Sequence, residues 1–154
     1  MPVASGLGNG EVTFDYTWSV NGKDLPEKNP VLKGDMFKKG DKISLVVVPS
    51  DSEGTGPAYT RVMTVPDATP FFTSTPPTMF KGTIYTYHAV AVDPDDDPIT
   101  YSFASAPQGM AIDARTGMIT WQLNPRDSGT HMIEITAQDP DGAVVTQRYS
   151  LTIK

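Results

Sequence analysis

An all-β chain of two tandem β-sandwich modules, the first short of its opening strands, is the architecture these 154 residues predict. Helical periodicity is almost absent, while apolar and polar residues alternate along one segment after another. Gly 13 and Pro 14 punctuate the chain too often for long helices. Turn signals recur at a spacing of roughly 8–12 residues, the rhythm of a β-sandwich.

The segments follow in order. Phe14, Tyr16, Trp18 and Val20 alternate with Asp15, Thr17 and Ser19, which reads as a half-buried strand. It runs into Asn21-Gly22, a two-residue hairpin signal. Lys39-Gly40-Asp41 is a turn before the buried strand 43–48, and Tyr59 to Val65 is a further strand. Pro66-Asp67-Ala-Thr-Pro70 and Thr75-Pro-Pro77 then flank Phe71-Phe72 and mark a boundary, giving modules over 1–67 and 68–154. In the second module the expected strands are 84–92, 99–103, 119–121, 132–137 and 144–153.

The two halves repeat one pattern. Ala4 to Phe14 aligns without a gap on Ala91 to Tyr101, with Gly6, Gly8 and Gly10 in the places of Asp93, Asp95 and Asp97. Residues 40–51 parallel 129–139 with one extra residue, and each half ends in a strand. About 20 residues precede Ala91 in the second copy and three precede Ala4 in the first. The first core is therefore expected to be open on one side, and an open edge invites a strand from another chain. A shortened sequence accounts for the same alignment.

Composition removes several functions. With Cys 0 there are no disulfides, thiolate zinc sites or cysteine nucleophiles. A formal net charge of −6 repels a phosphate backbone, so nucleic acid is not an expected partner. No apolar run is long enough to span a membrane as a helix. His88 and His131 each lie in a strand pattern with no acid at a diagnostic spacing, and no nucleophile-elbow, zinc-protease or phosphate-loop motif occurs. The expectation is a protein that is not an enzyme. Trp18 and Trp121 could stack on sugars, but Trp18 alternates with Phe14 and Tyr16 and Trp121 follows a Thr-Gly turn, which favours core positions.

Three motifs then appear in order: Ala91-Val-Asp93-Pro-Asp95, Ile112-Asp113-Ala-Arg-Thr116-Gly117-Met-Ile119-Thr-Trp121, and Gly129 to Ala137 followed by Gln138-Asp139. Together they resemble the Putative Ig and dystroglycan-type cadherin-like modules, over about residues 69–154. Residues 1–67 resemble bacterial Ig-like or PKD-like modules more loosely, through Tyr16-Thr-Trp18-Ser-Val-Asn21-Gly22 and Lys39-Gly40-Asp41. The resemblance implies two Ig-like or cadherin-like sandwiches from an extracellular or cell-surface protein of bacterial type. It implies a non-catalytic structural or adhesive role, with self-association or a partner chain. A carbohydrate-binding appendage of a secreted enzyme is the alternative.

In such a sandwich the loop holding Asp93 to Asp97 and the loop holding Asp139 and Asp141 share one pole. Converging carboxylates repel one another, and a hard cation removes the conflict. Ca²⁺ takes 6–8 oxygens at about 2.3–2.6 Å in flexible geometry. The expected calcium ligands are Asp93, Asp95 and Asp139, then Asp97 and the linker residue Asp67, with Asp96 and Asp141 solvated. A solvated acidic loop with Asp-Pro turn chemistry is the alternative. An EF-hand fails on spacing, since counting from Asp93 puts Pro98 and Ala104 where Gly and Glu are required.

Overall fold

The computed structural model describes residues 11–154. Gly6, Gly8 and Gly10 of the predicted repeat lie outside the described residues. The chain divides into two compact units, Met1–Asp67 and Ala68–Lys154. Regular structure in the described residues is strand, with two short 3-10 turns at Gly34–Met36 and Pro125–Asp127.

Among its described residues the first unit is a single sheet. Strand β1 (Thr13–Val20) pairs antiparallel with β3 (Lys42–Asp51), from Thr13 opposite Ser50 to Val20 opposite Ile43. Asn21 (φ 51) and Gly22 (φ 80) both take the left-handed conformation that a two-residue hairpin needs, and so lead into β2 (Lys23–Asp24). On its far side β3 pairs with β4 (Gly54–Thr55) and with β5 (Tyr59–Thr64). Register places Phe14, Tyr16, Trp18 and Val20 on one face with Pro49, Val47, Leu45 and Ile43, and with Tyr59, Arg61 and Met63 beyond them. Among the described residues of this unit only Ile43 and Val47 are buried, and every residue of β5 is exposed. The Trp18 indole nitrogen donates to the Asn29 carbonyl at 2.9 Å, so the long 21–41 connection folds back onto this sheet.

The second unit has two facing sheets. One runs β10 (Thr100–Ser105), β13 (Gly129–Gln138), β14 (Val144–Ile153), β7 (Met79–Phe80). The other runs β11 (Met110–Ile112), β12 (Met118–Gln122), β8 (Ile84–His88). A short pair joins β6 (Phe71–Phe72) to β9 (Ala91–Val92). Alternate residues meet inside: Tyr85 and Tyr87, Ile119 and Trp121, Ile133 and Ile135, Tyr149, Leu151 and Ile153, all 8% exposed or less. Period-two alternation on β8, β12, β13 and β14 produces that core, since successive side chains point to opposite faces. Burying aromatic and branched aliphatic side chains of this size is a major stabilising contribution to so small a unit.

One predicted strand is corrected. Residues 84–92 are not continuous: β8 ends at His88 and β9 starts at Ala91. Between them the chain changes partners. Ala89 N–H donates to the Gly117 carbonyl, while Val90 N–H donates to Ser74 Oγ and the Val90 carbonyl accepts from Thr73 N–H. Residue alternation carries no trace of such a switch.

The units share a pairing register. Lys42 opposite Thr64 and Val47 opposite Tyr59 correspond, at a constant offset along the chain, to Thr130 opposite Thr152 and Ile135 opposite Gln147. Likewise Phe14 opposite Pro49 and Tyr16 opposite Val47 correspond to Tyr101 opposite Ala137 and Phe103 opposite Ile135. Strands β1, β3 and β5 thus repeat the pairing of β10, β13 and β14. The sheet β11-β12-β8, which covers that face in the second unit, has no counterpart among the described residues of the first.

Candidate metal centre

Two loops of the second unit carry the aspartates. One joins β9 to β10, and the other joins β13 to β14. Because Thr100 pairs with Gln138 and Gln138 pairs with Val144, both loops leave the same end of one sheet.

The first loop is wound around Asp93, which is 4% exposed. Its Oδ1 accepts from the amides of Asp95 at 2.7 Å and Asp97 at 3.4 Å, and its carbonyl accepts from Asp96 N–H at 3.2 Å. The Asp-Pro start suits this turn, because Pro94 fixes its own φ and leaves later amides to close on the carboxylate. Asp96 takes φ 61, and its side chain is exposed. Asp95 and Asp97 are half-buried, with carboxylate oxygens within 4.8 Å of each other. Asp95 Oδ2 also accepts from Ala68 N–H at 2.8 Å, tying the start of this unit to the loop.

The second loop repeats the device. Asp139 is 4% exposed. Its Oδ1 accepts from Gly142 N–H at 2.8 Å and Ala143 N–H at 2.9 Å. Gly142 has φ 96, a conformation that a side chain would strain. Carboxylate oxygens of Asp139 and Asp141 lie within 4.8 Å of each other.

In both loops the second oxygen of the central carboxylate is left over. Asp93 Oδ2 and Asp139 Oδ2 are buried and have no hydrogen-bond partner. A buried carboxylate oxygen without a donor costs free energy, of order 1–3 kcal/mol or more for a charged group. An oxygen-seeking cation is the chemistry that answers such a donor set. The residues present therefore fit calcium.

The predicted ligands fall in different places. Asp95 pairs with Asp97, and Asp139 with Asp141. Asp93 belongs to neither close group and acts first as the post around which its loop turns. Asp67 ends the first unit, with Lys39 Nζ 3.2 Å from its Oδ1, and is peptide-bonded to the anchored Ala68. The sequence predicts a solvated Asp141. It is exposed, yet its carboxylate stands beside that of Asp139. Asp51 carried a signal that went unused, its alignment with Asp139. Its Oδ1 accepts from Glu53 N–H at 2.8 Å and Gly54 N–H at 3.2 Å, and its Oδ2 is likewise buried without a partner.

The other candidates are structural. His88 Nε2 bonds the Thr116 carbonyl and His131 Nε2 bonds the Asp127 carbonyl, each at 2.8 Å. Trp121 is 2% exposed and meets the His131 ring edge-on, so it offers no face to a sugar. Trp18 is half-buried.

A family model described as Putative Ig domain matches residues 46–154. The match begins inside β3, upstream of the 69–154 span in which the motifs lie. No curated protein matches the chain. Similar solved structures include Protocadherin Gamma B2 extracellular cadherin domains 1-5, at 16% identity and TM-score 0.49, covering 97% of this chain and 37% of that one. Human Desmocollin-1 ectodomain is 14% identical at TM-score 0.47, covering 92% and 33%. A putative alpha-galactosidase from Bacteroides fragilis NCTC 9343 is 19% identical at TM-score 0.45, covering 57% and 18%. The chain thus spans well under half of each of these structures.

Proposed function

The chain belongs to the Putative Ig domain family, and from that membership we propose a non-catalytic structural or adhesive module of an extracellular or cell-surface assembly, bacterial in setting, that takes up calcium. The two units are read as diverged copies of one sandwich module, the second of dystroglycan-type cadherin-like kind and the first of looser bacterial Ig-like or PKD-like kind. The first is completed by a strand from another chain. The observation that carries the calcium reading is the pair of buried, unpartnered oxygens on Asp93 and Asp139. Asp95, Asp97 and Asp141 would supply further oxygens. The ion supplies positive charge there. The chain's own part is to hold the loops with one carboxylate oxygen each and present the other.

Thermal melting with excess Ca²⁺ and then with a chelator tests the reading. At ten times Kd, binding stabilises by roughly 1.4 kcal/mol, or several degrees for a unit of this size. The pair Asp93→Ala with Asp139→Ala is expected to abolish that shift. Equal melting with and without Ca²⁺ in the unmodified chain refutes the calcium reading.

A second reading, a carbohydrate-binding appendage of a secreted enzyme, rests on Phe14, Tyr16, Trp18 and Tyr59 sharing one face of the first sheet. It requires retention on a polysaccharide column that Trp18→Ala abolishes.

A further inference from the structure

In the second unit β7 pairs with the C-terminal end of the outer edge of β14, lying parallel to it with Met79 beside Thr152 and Phe80 beside Ile153. Thr152 N–H donates to the Thr78 carbonyl at 2.9 Å and Lys154 N–H to the Phe80 carbonyl at 3.0 Å. Phe80 then packs on the core and meets Tyr85 edge-on, with ring centroids 5.4 Å apart. Strand β5 repeats the register of β14, with Thr64 in the place of Thr152 and Val65 in the place of Ile153. Among the described residues β5 pairs only with β3. Val65 N–H is turned inward, donating to the Asp41 carbonyl, and alternation therefore turns the amides of Thr60, Val62 and Thr64 outward. Natural edge strands are usually blunted by lysine, proline or a bulge. Residues 59–64 contain neither lysine nor proline, their pairing with β3 runs without a register shift, and Arg61 is their one charge, on the face beside Leu45.

We propose that the strand completing the first unit adds parallel to β5, as β7 adds to β14, and brings an aromatic or large aliphatic residue over the open face beside Met63. The inference rests on the reading that another chain completes this unit, and it names the donor class. The donor is a short extended segment of β7 type, entering after a proline-rich stretch like Thr75-Pro-Pro77. One difference from the second unit sets its reach. Pro66 stands where Lys154 stands and has no N–H, so the donor's hydrogen bonds run back along Thr64, Val62 and Thr60. Main-chain bonds supply affinity in such an addition, and the side-chain pocket supplies specificity.

The test uses the full chain and a synthetic peptide of residues 73–83 as surrogate donor, read by residue-resolved amide hydrogen exchange. Saturating peptide is expected to slow exchange at Thr60, Val62 and Thr64 by tenfold or more. Val62→Pro removes one outward N–H while leaving pairing with β3 intact. It should abolish the protection while the amides of β1 and β3 exchange as before. A peptide with Phe80→Asp should fail on the unmodified chain. Unchanged exchange at those three amides in millimolar peptide overturns the donor assignment. If the chain also self-associates with the same amides protected, strand completion stands and the donor is of another class. A monomer with open amides overturns both.

Discussion

The hydroxyl of Tyr85 on β8 lies 3.2 Å from the hydroxyl of Tyr149 on β14, a buried polar bond across the core between the two sheets of the second unit. Burial drives both phenols above their ordinary range, Tyr149 far above it, and the bond between them holds Tyr85 down while it pushes Tyr149 further up. The neutral forms are therefore favoured by folding. Their contribution is fully present below about pH 10, where unfolded tyrosine begins to ionise, and is lost as pH rises toward the folded values. Urea unfolding at pH 8 and pH 11 should show a steep alkaline loss of stability in this unit. Tyr149→Phe should cost about 1–2 kcal/mol at pH 8, by stranding the Tyr85 hydroxyl, and should flatten the alkaline slope.

Gly117 tolerates no side chain. A Cβ there would sit 2.2 Å from the Ala89 carbonyl oxygen, at φ +70. That contact lies where the chain leaves β8 for β9, and the Ala89 amide donates to the Gly117 carbonyl. Gly117→Ala should cost about 2 kcal/mol or more, since strain and overlap add. Gly142→Ala, with open space around its Cβ, should cost less. Denaturant midpoints of the two variants make the comparison.

The two tryptophans separate core from open face. Trp121→Ala should destabilise the second unit by about 3–5 kcal/mol through the cavity it leaves. Trp18→Ala removes a half-buried ring and its bond to the Asn29 carbonyl, and should cost the first unit less. Equal losses would mean that the first sheet is covered as fully as the second unit's core.

Asp113 holds the turn between β11 and β12. Its carboxylate is kept below the usual range, chiefly by the Thr116 amide, then by the Thr116 hydroxyl and the Arg115 amide. A depressed carboxylate stabilises above its unfolded value, near pH 4, and the contribution disappears as pH falls through the folded value. The melting difference between the unmodified chain and Asp113→Asn should be largest near neutrality and vanish in strong acid. A difference independent of pH would rule out the ionised carboxylate as the cause.

How far these features could be read from residues alone depends on how local their causes are. The alternation of Phe14 to Val20 marks β1 because strand periodicity is a local property. Asn21-Gly22 marks its hairpin for the same reason. Val144 to Ile153 is predicted and found with the same limits. The break at Ala89 and Val90 is invisible because it is decided by Ser74 and Gly117, both distant in sequence. Exposure along β5 is equally hidden. Alternation records which side chains share a face, not whether a second sheet covers it. At the acidic loops the residue types are legible. The division of labour is not, because Asp93 and Asp97 look alike until one is seen wrapped by the other's amide.

Asp93 and Asp139 each spend one oxygen on their own loop amides before any ion arrives. The ordering of those loops is thus settled during folding. A cation bound there as proposed would have little left to rearrange, so its arrival would be paced by diffusion and by loss of its own hydration water. Such an encounter leaves a small structural imprint. Spectra that report backbone change should stay almost silent while the ion comes and goes.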